Sequence, residues 1–125
     1  MLEITPSFDA GLLAKYCKQC EKLPGPAFYL YLAKDREAQL AAGLFEIFSD
    51  RVEAVFYEGD GDDPHLFDAV LRAGLNYAAG QGIQTGRLTE GFRQRYAALF
   101  APLNYPDWPE FDITNFFAKY KNCGM

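Results

Sequence analysis

The stretch from Val52 to Ile83, VEAVFYEGDGDDPHLFDAVLRAGLNYAAGQGI, decides the fold. Val52 to Glu58 is apolar on both faces, which suits a strand covered on two sides. Gly59 to Asp63 is a turn built of glycine and aspartate. Asp63-Pro64 then reads as an N-cap followed by proline at the first helical position. From there Leu66, Phe67, Val70, Leu71, Gly74, Leu75, Tyr77 and Ala78 recur at helical spacing, giving a broad apolar stripe to about Gly80. Gly80-Gln81-Gly82 stops that helix, and Ile83 to Thr89 can supply another strand.

Reading backwards, Ala27 to Lys34 and Gln39 to Ser49 are two more segments without a polar face. The links at 35–37 and 50–51 are so short that the three strands should run antiparallel as neighbours. Before them, Phe8 to Lys22 carries an apolar stripe of Phe8, Leu12, Leu13, Tyr16, Cys17, Cys20 and Leu23, closed by Pro24-Gly25-Pro26. Leu2 to Thr5 can form a short strand. Reading forwards, Gly91 to about Ala101 suggests a helix with Phe92, Tyr96, Leu99 and Phe100 on one face. A short strand near Phe111 to Ile113 precedes a last helix from Thr114. The expected fold class is α/β: a mixed sheet, antiparallel in its first half, with helices on both faces. The strand near 83–89 should lie parallel to the one ending at Glu58, because a helix crosses between them.

The chain has 125 residues, enough for one domain spanning 1–125 with its own core. Half the residues are hydrophobic, which excludes a disordered chain. The net charge of −5 disfavours nucleic acid and anionic membranes as partners. No stretch approaches the ~20 apolar residues of a membrane helix, and the N-terminus lacks the features of a signal peptide. Three cysteines are too few for a secreted disulfide framework, so a reduced, cytoplasmic protein is expected. Aromatic residues make up 16%, so an exposed apolar patch is plausible in so short a chain. Phe116, Phe117 and Tyr120 are the candidate patch for a homodimer.

This element order resembles the GNAT N-acetyltransferase superfamily over nearly the whole chain. Two local patterns carry the resemblance. VLRAGLNYAAGQGI, Val70 to Ile83, looks like the family's central helix and closing glycine, and LFAPLNY, Leu99 to Tyr105, is similar to its Leu-Tyr-x-x-x-Gly-Phe ending. The resemblance implies acyl transfer from acetyl-CoA, or another acyl-CoA, directly to an amine on a small molecule or a protein. It also implies a V-shaped gap between the fourth and fifth strands that admits the pantetheine arm.

In that family a Gln/Arg-x-x-Gly-x-Gly/Ala loop holds the pyrophosphate on backbone amides at the start of the central helix. Counting back from Gly82 places the equivalent loop on Asp62-Asp63-Pro64-His65-Leu66-Phe67. Proline removes one amide donor, and His65 and Phe67 stand where small residues should be. Glu58, Asp60, Asp62 and Asp63 add charge of the same sign as the ligand. The coenzyme-facing positions implied are Phe56, Tyr57, Asp62, Asp63, His65, Leu66, Phe67 and Phe100. Phe100 occupies the place of a tyrosine that protonates the leaving thiolate, and it has no proton to give; Tyr96, one turn earlier, is the substitute. Glu46 and Glu53 are the candidate general bases. The expected reading is therefore a GNAT-like acyltransferase with a degenerate pyrophosphate loop. Its alternative is a non-catalytic binding or dimerisation module that keeps the fold.

Other chemistry reads more weakly. Cys17 and Cys20 have zinc-ligand spacing, and Cys123 and His65 would complete a set. Both belong to the helix stripe, however, so core packing is the stronger reading and no metal is expected. The acidic run 58–63 fails the EF-hand pattern at Pro64. His65 lacks a nucleophile motif beside it. Arg87, Arg93 and Arg95 could attract an anion, although arginines so placed usually form a solvated face.

Overall fold

In a computed structural model that describes residues 2–107 and 109–121, the last four as backbone only, six strands form one sheet in chain order. Strands β1 (Leu2–Ser7), β2 (Phe28–Asp35), β3 (Ala38–Ile47) and β4 (Val52–Gly59) pair antiparallel in succession. Helix α1 (Ala10–Gln19) joins β1 to β2, and helix α2 (Pro64–Gly80) crosses from β4 to β5 (Thr85–Arg87). β5 runs parallel to β4, as a helical crossover requires, and β6 (Glu110–Asp112) closes the sheet antiparallel to it. Two short helices, α3 (Glu90–Arg95) and α4 (Ala97–Phe100), lie between β5 and β6, and α5 (Ile113–Lys121) follows.

Strand alternation divides the core between two faces. On one, α1 lays Tyr16 and Cys17 against Leu30, Leu32, Leu44 and Phe56. On the other, α2 buries Phe67, Val70, Leu71 and Leu75 against Phe45, Val52 and Tyr57. The seven α2 positions that are buried all belong to the stripe read from the sequence, with Tyr77 left half-buried. Asp63 caps α2 and Pro64 occupies its first turn. Pro6 sits on β1, an edge strand, where a sheet tolerates proline.

Three sequence expectations change. Phe8 and Leu23 are each 88% exposed rather than part of the α1 stripe. The Asp9 carboxylate accepts from Leu12 N–H and starts the helix after Phe8, while Glu21 at φ 58 turns the chain away before Leu23. The expected helix over 91–101 is broken at Tyr96, whose φ −111 and ψ 27 end α3. Finally, Phe117 is buried and Phe116 packs on Tyr105 and Phe111, so these two residues form no open patch. Tyr120 of that proposed patch lies outside the residues whose side chains are described.

The segment after α4 is tied down by Tyr105, whose hydroxyl donates to Asp68 Oδ1 at 2.8 Å. Arg72 Nε holds the other carboxylate oxygen at 2.8 Å. Burial first, and then Asp68, pushes the Tyr105 hydroxyl well above its ordinary pKa. Tyr105→Phe should cost about 1.5–3 kcal/mol, the usual worth of a hydrogen bond to a charged group, read as a lower urea midpoint at unchanged slope.

Candidate functional site

β4 and β5 pair only through the first two residues of β4 and the last two of β5, Val52 with Gly86 and Glu53 with Arg87. Beyond them β5 ends, while β4 runs on to Gly59. Leu44 lies opposite Phe56 but Phe45 lies opposite Ala54, so Val55 is an extra residue in β4. A bulge of this kind kinks and over-twists its strand. The later part of β4 thus has an edge that β5 does not cover.

Tyr96 covers it. The break between α3 and α4 sends its side chain to β4, where its hydroxyl accepts from Tyr57 N–H at 2.9 Å and donates to Tyr57 C=O at 2.8 Å. One side chain thus supplies the donor and acceptor that a neighbouring strand would have offered. Its ring is wedged among Phe92, Phe67 and Tyr57, at centroid distances of 4.7, 5.7 and 6.0 Å. Phe100 meets Phe67 edge-on at 4.9 Å. Burial raises the pKa of Tyr96. The Tyr57 hydroxyl is pushed up to about 12, again mainly by burial and then by Asp63. At neutral pH both keep their protons.

The turn into α2 is equally self-satisfied. Asp63 Oδ1 accepts from His65 N–H at 2.9 Å and Leu66 N–H at 3.3 Å, and Phe67 N–H goes to Asp63 C=O at 3.1 Å. With Pro64 carrying no N–H, the first-turn amides from 64 to 67 are all accounted for. Phe67 is wholly buried and Leu66 nearly so, whereas Asp62, Asp63 and His65 are exposed.

The two candidate bases face each other across β3 and β4, Glu46 opposite Glu53. Like charges so placed repel unless compensated, and each has its own cation. Lys22 Nζ is 3.4 Å from Glu46, while Arg51 Nε lies 3.1 Å and Arg87 Nη1 3.9 Å from Glu53. Cys17 is fully buried, and the half-buried Cys20 thiol donates to Tyr16 C=O at 3.2 Å. Burial raises the pKa of both thiols. Among the described residues no group of three or more His, Cys, Asp or Glu side chains could hold a metal ion; Cys123 lies outside those residues.

A cavity of about 440 Å³ lies beside the later part of β4, lined by Phe56, Glu58, Asp62, Arg95, Tyr96 and Leu99 among others. Glu58 at its border accepts from the Tyr16 hydroxyl at 2.8 Å, which in turn accepts from Gln39 Nε2 at 2.9 Å. The structure therefore brings Phe56, Tyr57, Asp62 and Tyr96 to one cleft and leaves Glu46 and Glu53 in ion pairs. The Gln39–Tyr16–Glu58 hydrogen bonds and the Tyr96–Tyr57 contact leave no signal in the sequence. That contact joins residues 39 positions apart, and no spacing encodes it.

No family model matches the sequence, and no curated protein matches it significantly. Solved structures do align. The ribosomal-protein-S18-alanine N-acetyltransferase of Escherichia coli superposes with a TM-score of 0.63 at 16% identity, covering 86% of this chain and 79% of that one. An IAA acetyltransferase of Bacillus cereus ATCC 14579 gives 0.60 at 12% identity, over 86% and 79%. A probable acetyltransferase of Staphylococcus epidermidis ATCC 12228 gives 0.60 at 10% identity, over 83% of each chain. The fold is that of the GNAT acetyltransferases. Among the described residues no helix is long and apolar enough to cross a membrane.

Proposed function

We propose that this GNAT-fold chain has given up acyl transfer and serves as a non-catalytic binding module. The observation that carries this reading is the pair of hydrogen bonds from Tyr96 to the backbone of Tyr57. A pantetheine arm entering the gap between β4 and β5 would need that edge of β4, and Tyr96 already fills it. Asp63 does the same at the start of α2, where its carboxylate takes the amides that an acyl-CoA pyrophosphate would require. The proton that Tyr96 would give to a leaving thiolate is committed to a carbonyl, and the candidate bases are held by lysine and arginine.

Three features favour a second reading. The Val55 bulge, the short β4–β5 pairing and the cavity beside them suit an acyltransferase that moves an acyl group from acyl-CoA to an amine once Tyr96 swings out. Calorimetry with acetyl-CoA at low salt separates the two. The unaltered chain should bind more weakly than about 1 mM, since the ligand meets Glu58, Asp60, Asp62 and Asp63. Tyr96→Ala, checked for folding by circular dichroism, should bind at least about fivefold tighter because the competing side chain is gone. Micromolar binding by the unaltered chain, with turnover on an amine, would establish the second reading instead.

A further inference from the structure

We infer that a second cavity, beside the Val55 bulge, binds a small carboxylate with an apolar body, held by the Arg95 guanidinium. This assigns a ligand class to the module proposed above and rests on that reading. The cavity measures about 320 Å³, and its lining includes Ala54, Val55 and Phe92 as apolar surface, with Cys20, Thr89 and Arg95 among the polar groups. Its size is at the lower end for small-molecule sites, and its wall is mixed: Ala54, Val55 and Phe92 supply the apolar part and polar or charged side chains most of the rest.

The charges decide the ligand's sign. Lys22 and Glu53 also line the cavity, but both are spoken for, Lys22 by Glu46 and Glu53 by Arg51 and Arg87. Cys20 is neutral because burial raises its pKa. Arg95 differs. Its guanidinium lies 4.9 Å over the Phe56 ring and 5.5 Å from the Tyr96 ring centre, and among the described residues it pairs with no carboxylate. Contact with two rings holds the exposed Arg95 side chain at the cavity, and its guanidinium has the fork of N–H donors that matches a carboxylate. Arg95 also borders the larger cavity, where Glu58 and Asp62 repel an anion, so the ligand is steered to the smaller one.

The test is a set of ¹⁵N–¹H correlation spectra during titration with isovalerate, isovaleramide and isoamylamine, three probes with one apolar body and different head groups. Isovalerate should shift the backbone amides of Ala54, Val55, Gly91 and Phe92 saturably, and isovaleramide should bind at least about tenfold more weakly. Arg95→Gln should abolish the isovalerate shifts, with the rest of its spectrum unchanged as proof of folding, and Arg95→Lys should retain part of the binding. Four results would each overturn the assignment: equal binding of acid and amide, preference for the amine, binding that survives Arg95→Gln, or no saturable shift up to about 50 mM. The acetyl-CoA titration decides the module reading separately, so failure of either is recognisable.

Discussion

Gly74→Ala should destabilise the protein by about 2 kcal/mol or more, although alanine is the better helix former by about 1 kcal/mol in an ordinary helix interior. The reason lies in what the missing side chain allows. A Cβ at Gly74 would overlap the ring of Phe45, a fully buried residue on β3. That ring cannot step aside, being stacked on Tyr29 at 5.3 Å, and the Tyr29 hydroxyl donates to the Gly74 carbonyl at 2.6 Å. The approach is close from the sheet side too, where a Cβ at Gly43 would come within 2.6 Å of Val70 Cγ1. Urea unfolding should show a lower midpoint for Gly74→Ala, with Gly80→Ala as a control, since nothing lies within 4 Å of a Cβ there. Equal midpoints for the two variants would mean that α2 and β3 sit further apart than described.

Phe67→Ala should be more damaging, with an expected loss of about 3–5 kcal/mol. Phe67 is wholly buried and contacts Tyr57 edge-on at 4.8 Å, as well as Tyr96 and Phe100. Removing it leaves a void where α2, β4 and the α3–α4 segment meet. That loss is a large part of the ~5–15 kcal/mol that separates folded from unfolded domains. Near-ultraviolet dichroism should weaken along with stability, because the ring contacts that orient Tyr57 and Tyr96 are released. Phe67→Leu, which refills most of the volume, should recover much of both. Retention of full stability by Phe67→Ala would contradict the packing.

Much of this architecture is legible in the residues because local and global signals agree. The α2 stripe, its Asp63-Pro64 start and the three closely spaced strands each state one thing at every level. The ends of α1 read less well, since a stripe of apolar residues does not reveal that Asp9 caps inside it or that Glu21 adopts a left-handed backbone. The cleft reads least well. Tyr96 sits at helical spacing with Phe92 and Phe100, so periodicity places it on a continuous helix. Its contact with Tyr57 instead breaks that helix. The bulge at Val55 leaves no mark either, since an apolar strand with one extra residue looks like an apolar strand.

Tyr96 acts toward β4 as a tethered competitor. Any molecule that needs the Tyr57 amide and carbonyl must first displace a group whose local concentration is set by the chain and cannot be diluted away. Its two hydrogen bonds, at the usual net worth, bias the filled state by about 1–3 kcal/mol. An incoming ligand therefore binds about 5- to 150-fold more weakly than the bare edge would allow. The same arithmetic makes the cleft tunable. A change anywhere in α3 or α4 that loosens Tyr96 would raise affinity at β4 without touching the ligand.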